Sequence, residues 1–235
     1  MANKSNKKHL KRGASSVFHG LVRKGSKWLK KPSPGKHALK ESISLGSLLT
    51  EKLGLAENKK QAKILANHDN ILIDGAIVKD LKQPVGLMDV LSIPKLGKNY
   101  RVTANKGTIK LVEITAAEAK TKYCKITGKK IIKKGKIQLN LHDSRNYLIE
   151  KEEDKFKVGD TLILSIPKQE LKGVLKLEKN ANCFIYRGRH SGETGKLEEI
   201  QEKAGSKESD AKIKTKDGEI ITLKSYLFVI DDKFK

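Results

Sequence analysis

Several side chains in this sequence are typed for chemistry, and they point to different reactions. His142 and Asp143 stand together in HDSRNY (142–147), a pair that in an enzyme would activate a nucleophile, but no candidate nucleophile accompanies them. The six histidines, at 9, 19, 37, 68, 142 and 190, are dispersed without the spacing of metal ligands. Cys124 and Cys183 have no nearby cysteine partner. No G-x-G-x-x-G, P-loop, H-E-x-x-H or C-x-x-C pattern occurs. An active site needs several groups in mutual geometry, so the expectation is no enzyme, no cofactor and no bound metal.

The cations are a different matter. In 235 residues there are 50 Lys and Arg against 27 Asp and Glu, a net charge of +23. The first 40 residues hold Lys4, Lys7, Lys8, Lys11, Arg12, Arg23, Lys24, Lys27, Lys30, Lys31, Lys36 and Lys40, and no acid. About half of the excess charge therefore sits in about a sixth of the chain. Such a block repels itself unless a polyanion neutralises it. A membrane surface would call for a helical apolar face, but Gly13, Gly20, Gly25 and Pro32 interrupt the scattered apolar residues. Nucleic acid fits better. Phe18, His19, Trp28 and His37 interleave with the cations, as a purely solvating tail would not require. Pro32 and Pro34 hold 31–35 extended, and Gly35 lets the backbone approach a ligand closely. Trp28 and His37 are typed to stack on a base or ribose, or to pack against protein.

These residues need elements to position them. SLGSLLTEKLG (44–54) spaces its leucines for one helical face and stops at Gly54. ENKKQAKILANH (57–68) predicts a second helix with Asn58 as N-cap, Ala62, Leu65 and Ala66 inward, and Lys59, Lys60 and Lys63 outward beside Lys52. Taken alone, those four lysines are an ordinary solvated surface; their nearness to twelve further cations makes them candidates for phosphate contact. NILIDGAIV (70–78) predicts a hairpin on Asp74-Gly75, and DVLSIP (89–94) a strand. In QPVGLMDVLSIP, residues 84–86 read as a turn, and Leu87, Met88 and Val90 as core.

From about residue 100 the pattern becomes period two. Strands are expected at 107–115, 135–141, 146–150 and 160–166, with a helical turn at 116–120. HDSRNY reads as a turn capped by Asp143 or Ser144. After Pro167, strands flank the loop GRHSGETGKLEEI, in which Arg187, Arg189, His190 and Lys196 alternate with glycines whose amides suit phosphate approach. An exposed loop is expected at 198–210, a hairpin on Asp217-Gly218, and a last strand in SYLFVI.

Two levels of resemblance join these readings. ENKKQAKILANHDNILIDGAIV is similar to the RNA-binding module shared by ribosomal protein S-four, some pseudouridine synthases and tyrosyl-tRNA synthetases. Ile71, Ile73, Asp74 and Gly75 match its hairpin, and Lys59 and Lys60 stand where it usually carries Ser-Arg. KKHLKR (7–12), Pro32, Gly35, His37, Leu39 and Glu41, then Pro84, Gly86, Met88, Asp89, Val90, Ser92 and Ile93 together resemble the archaeal and eukaryotic small-subunit ribosomal protein family S-four-e. GRHSGETGKLEEI resembles the loop of that family's KOW barrel.

The resemblance implies an α+β, mostly β protein: a basic N-terminal extension (1–42), a helix-pair-plus-hairpin S-four-like module (43–104), a central β domain (105–170) and a KOW-type SH3-like barrel (171–235). It implies a cytoplasmic, ribosome-bound, non-catalytic constituent of the small subunit. The partners would be small-subunit rRNA and neighbouring ribosomal proteins, with no membrane, small-molecule substrate or homo-oligomer. RNA binding is assigned to the twelve N-terminal cations with His9, Trp28 and His37, to Lys52, Lys59, Lys60 and Lys63, and to Arg187, Arg189, His190 and Lys196. The extension is expected to order only on binding. The lack of an apolar stretch after the N-terminal cations predicts no secretory signal, and both thiols are expected to be reduced. Rival readings are an RNA-modifying or synthetase-like protein, and a free RNA chaperone.

Overall fold

A computed structural model describes residues 8–68, 70–132, 135–151, 154–203, 208–215, 218–232 and 234. Residues 8–42 of the basic segment are folded onto the body, contrary to the expectation of order only on binding. Strand β1 (Leu10–Lys11) pairs antiparallel with β2 (Trp28–Leu29), and two short 3-10 turns, Arg12–Ala14 and Val17–His19, lie between them. Gly20 closes the second turn at φ 55°, a left-handed conformation that glycine adopts without a Cβ penalty. His19 is buried and hydrogen-bonds the Ser42 carbonyl at 2.8 Å.

The next unit begins with β3 (Ser42–Ser44), which pairs with β6 (Pro84–Gly86); residues 84–86, read as a turn, are thus a strand. Ser44 accepts the Ser47 amide, capping a first helix that starts as α1 (Leu45–Ser47) and widens into a π-helical turn over Leu48–Lys52. Leu45, Leu48 and Leu49 are all fully buried. Helix α2 (Lys59–His68) starts where the sequence predicts: Asn58 Oδ1 accepts the amides of Lys60 and Gln61, each at 3.0 Å. Ala62 and Ala66 face inward, small enough to bring α2 close to the first helix.

Strands β4 (Leu72–Ile73) and β5 (Ala76–Ile77) form the expected hairpin. Asp74 and Gly75 both have positive φ, at 51° and 74°, as a primed turn requires. The sheet order is β5-β4-β7-β8-β9, with β7 (Val90–Ile93), β8 (Lys98–Asn105) and β9 (Thr108–Ile114). Because β9 pairs along the whole of β8, this sheet continues past residue 104 to Ile114.

The second five-stranded sheet runs β12-β11-β10-β13-β14. It comprises β10 (Thr121–Ile131), β11 (Ile137–Leu141), β12 (Asn146–Ile149), β13 (Thr161–Ser165) and β14 (Leu171–Leu175). Strand β14 carries this sheet past residue 170. The third sheet, β18-β17-β16-β15-β19, forms the C-terminal barrel. Its strands are β15 (Asn182–Ile185), β16 (Thr194–Gln201), β17 (Asp210–Thr215), β18 (Gly218–Leu223) and β19 (Leu227–Val229). Strand β16 occupies the start of the expected 198–210 loop, and the Asp217 half of the last hairpin turn lies outside the described residues. Cys124 and Cys183 are free, buried in two different cores.

The three sheets share a fourth cluster, in which Leu87, Met88 and Ala104 of the first meet Tyr123 of the second and Phe184, Phe228 and Ile230 of the third. Beside it lies a buried ionic network. The Lys122 ammonium, with no side-chain exposure, sits 2.8 Å from Asp74, 2.6 Å from Asp89 and 2.9 Å from Asp143, all equally buried. Arg145 bridges Asp74 and Asp143, Lys36 reaches Asp74 at 2.8 Å, and His37 holds Asp89 at 3.0 Å. Three carboxylates thus meet Lys122, Lys36 and Arg145, so the network is charge-balanced before His37 is counted. Burial alone would lower the Lys122 pKa, but Asp89, Asp74 and Asp143 outweigh it and raise it. Burial would raise Asp143, but Lys122 and its other neighbours bring it down to about 2. Asp89 is likewise held well below the carboxylate range, burial being overcome by Lys122 and His37.

The motif glycines close this network sterically. A Cβ on Gly35 would lie 2.8 Å from the Pro84 ring, and one on Gly86 would lie 2.6 Å from two atoms of the His37 ring. The two proline-glycine elements therefore interlock, each bare glycine admitting a ring of the other.

Lys122→Met keeps the volume but leaves three carboxylates short of a cation; we expect a loss of about 3–5 kcal/mol in urea unfolding, against about 1 kcal/mol for Asn58→Ala. The acid limb has a definite sign. Burial depresses His142 to about 4, so its contribution is complete above the unfolded value near 6.5 and is lost as pH falls towards 4. Asp89 and Asp143, also depressed, add their loss below about pH 4. Stability should fall from pH ~6.5 downward, at up to about 1.4 kcal/mol per unit from His142 alone. His142→Gln should flatten the pH 6.5–4 part of a melting-temperature profile and leave the lower part. An unaltered profile would refute this assignment.

Candidate nucleic-acid interface

The cations of the N-terminal segment divide into those that build the fold and those the fold presents. Arg12 is a builder. Its guanidinium is buried, donating to the Ser26 carbonyl at 2.7 Å, the Val22 carbonyl at 2.9 Å and Ser26 Oγ at 2.9 Å, while pairing with Glu51. Gly25 lies flat on it, since a Cβ there would sit 3.3 Å from Arg12 Cζ. One arginine thus ties loop 22–26 to the first helix. Lys36 and His37 are consumed by the ionic network. Lys52 donates to the Gly20 carbonyl at 3.0 Å, and partial burial lowers its pKa. The sequence assigns Arg12, Lys36 and Lys52 to RNA on charge and spacing, and His37 as a ring typed to stack. The Arg12 and His37 side chains are buried and Lys36 is paired with Asp74, whereas Lys52, half-buried, keeps donors beyond its one bond to Gly20.

The presented set is continuous. Lys8, His9 and Lys11 along β1, Arg23, Lys24 and Lys27 on the clamped loop, and Lys59, Lys60 and Lys63 on α2 are exposed. Lys59 Nζ donates to the Trp28 carbonyl at 3.3 Å, which joins the start of α2 to β2. Trp28 is 40% exposed, with the His9 ring centroid 5.4 Å away and Lys27 Nζ 5.5 Å from its own. An exposed indole ringed by cations can stack on a base while lysines meet flanking phosphates. Lys30 and Lys31 are half-buried, Lys40 is exposed, and Lys4 and Lys7 lie outside the described residues.

The barrel loop forms a separate group. Gly192, at φ 103°, packs against the β8–β9 turn, where a Cβ would meet Asn105 Cα at 2.9 Å, and the Lys106 amide donates to the Ser191 carbonyl at 2.6 Å. Gly20 packs on the same turn, at Thr108. Arg187 pairs with Glu41 at 2.8 Å, His190 with Glu193 at 3.2 Å, and Arg189 and Lys196 are exposed.

Two groups escaped the sequence reading. Lys122 lies on a strand buried on both faces, where no alternation marks it. Asp74 and Asp89 were explained by a turn and by a motif, which hid their second use as counter-ions. Asp143 does cap the 141–145 turn, accepting the Arg145 amide at 3.3 Å, but is also fully buried against Lys122. Cys124, His142 and Asp143 cluster as three ligand-capable groups. His142 Nδ1 accepts the Lys125 amide, its Nε2 donates to the Leu87 carbonyl, and Asp143 is neutralised by Lys122 and Arg145, so the trio is already committed without a metal. Burial raises the Cys124 thiol, which keeps it protonated at neutral pH and a poor ligand.

Fold and surface define a class: three β units packed on a shared apolar cluster, the first two joined by an ionic lock, with a clamped segment presenting exposed cations. The comparisons make this specific. Residues 96–171 match the model of ribosomal family S4e. The chain is 42% identical over 231 residues to small ribosomal subunit protein eS4 of Methanosphaera stadtmanae, covering 98% of this chain and 95% of the relative. It is 43% identical over 232 residues to that of Methanothermobacter thermautotrophicus, with the same coverage. The crystal structure of 30S ribosomal protein S4e from Thermoplasma acidophilum superimposes with a TM-score of 0.71 at 30% identity, over 83% of this chain and 98% of that one. The chain belongs to ribosomal family S4e.

Arg12→Met should release the loop that carries Arg23 and Lys24. Limited trypsin digestion of the folded protein is expected to cut at those residues about tenfold faster, an equilibrium effect of local opening. Equal cleavage rates in the two proteins would show that Arg12 is not the clamp.

Proposed function

We propose that this protein is a structural constituent of the small ribosomal subunit and binds rRNA through the face built by β1, loop 22–27, Trp28 and the start of α2. The carrying observation is the exposed, continuous cationic face beside Trp28, held by a buried arginine and an ionic lock. A duplex of RNA hides its base edges, so such a face acts on backbone and shape, with Trp28 available to an unstacked base. The rigid order of the three units converts phosphate binding at separate points into a fixed distance between rRNA segments. Family membership and the relatives' shared name support the same role. The role asks for no bond-making, consistent with an ion network whose members are all committed to one another. Neighbouring ribosomal proteins complete the expected partners, and the ribosome is the expected location; no helix of the described residues is long and apolar enough to cross a membrane. Lys196, Arg189 and the half-exposed Arg187 offer a second contact region on the barrel.

Filter binding to small-subunit rRNA across a salt series tests this. The triple variant Lys27→Glu, Lys59→Glu, Lys60→Glu should reduce affinity at least about tenfold. It should also flatten the slope of log K against log salt by about two units, near 0.7–0.9 per lost phosphate contact. Lys172→Glu, on the exposed edge of β14, should leave the slope unchanged. Equal slopes for the triple variant and the native protein would remove this face from the interface. Trp28→Ala should cost about 1–3 kcal/mol of affinity with little change in slope, the mark of stacking rather than charge.

A further inference from the structure

Where the basic segment, the central sheet and the barrel meet, they leave a cavity of about 680 Å³. Nothing in the binding face described above uses it. Its size falls within the ~300–1,000 Å³ of small-ligand sites. Phe18, Leu87, Tyr186 and Phe228 give it apolar and aromatic walls, and Lys40, Arg187 and Lys224 line it as well. Lys125 lies within it, its Nζ donating to the Ser225 carbonyl at 2.6 Å and lying 5.7 Å from the Tyr186 ring centre. Acceptors line it too: Glu208 takes the Ser225 hydroxyl at 2.7 Å, and Glu41 holds Arg187. Gly107, Gly159 and Gly188, all with positive φ, contribute side-chain-free backbone to the lining.

We propose that this cavity receives a single unpaired nucleotide of the bound RNA, its base against the aromatic wall and its phosphate on the cations around it. The idea rests on the rRNA-binding reading and locates one contact of it. Tyr186 and Phe228 meet edge to face with centroids 6.4 Å apart, and an aromatic wall bordered by cations suits a flat ring carrying an anion. The four cations, Lys40, Lys125, Arg187 and Lys224, exceed the two acids, Glu41 and Glu208, so a phosphate meets net attraction. Lys125 has donors left after its one bond to Ser225, and Glu208 has acceptor capacity, which together match the mixed edge of a base. Burial lowers the Lys125 amine to about 8, so near neutral pH it still donates but sheds part of its hydration cost. A base-paired nucleotide cannot enter, so the recognised element is a bulge, loop or junction.

The test uses the full chain and three measurements. Titration with AMP, GMP, CMP and UMP, followed by tyrosine and phenylalanine ring signals in NMR, should give saturable binding with perturbations centred on Tyr186 and Phe228. Thr127→Trp, which places an indole at the cavity wall, should abolish these perturbations and lower rRNA affinity about tenfold at constant salt slope. Lys125→Met, which removes the donor without filling the space, should weaken nucleotide binding several-fold. The proposal is overturned if no nucleotide binds while the native protein binds rRNA normally, or if nucleotides bind Thr127→Trp equally well. It is also overturned if only an apolar dye such as anilinonaphthalene sulfonate occupies the cavity, which would assign it to an apolar side chain of a neighbouring protein. Failure of the native protein to bind rRNA at all would instead refute the broader reading.

Discussion

The architecture depends on one ammonium group. Lys122, fully buried on the longest strand of the central sheet, faces three carboxylates from two units of the fold. Asp74 comes from a hairpin turn, Asp89 from the segment before β7, and Asp143 from the turn after β11. None of these could be buried alone, because an unpaired charge in a protein interior costs several kcal/mol. Each is satisfied only when the units stand in one relative position. A purely apolar junction would tolerate sliding; this one specifies a register.

That constraint explains how a strongly cationic protein keeps its cations usable. The chain turns a minority of its positive side chains inward: Lys122, Arg145, Lys36 and Arg12 stand beside acids from other elements, and Arg101 and Lys125 are buried on β8 and β10. Most of the other cations among the described residues are exposed. Self-repulsion among outward cations opposes folding, and the buried network together with the shared apolar cluster offsets it. A proposed RNA face that is already ordered loses less binding free energy to ordering than a disordered tail.

The sequence was most legible where local rules decide. Asn58 as cap, Asp74-Gly75 as turn, the inward alanines of α2 and the strands β11, β12 and β13 follow from propensity, period and turn chemistry. Strands β8 and β10 were less visible because both carry polar residues at buried positions: Arg101 and Thr103 on one, Lys122 and Lys125 on the other. Those residues break the apolar alternation and are tolerated only through contacts far along the chain. The basic segment was misjudged for the same reason. Its composition is that of a solvated tail, and only the positions of Glu51, Asp74 and Asp89 turn Arg12, Lys36 and His37 into interior residues. Quoted as family marks, the proline-glycine elements were legible as a pattern; their physical meaning, a mutual steric fit, is visible only once the two are seen face to face.

The interlock of those two elements also sets a timetable for biosynthesis. The segment carrying His37 leaves the exit tunnel first, while Gly86 and Asp89 follow some fifty residues later, and Lys122, Asp143 and Arg145 later still. Until Lys122 and Arg145 have emerged, Asp74 and Asp89 lack the cations of the central sheet that complete their pairing. The lock between the first two units therefore closes late in synthesis, after the first unit already has its own sheet and core.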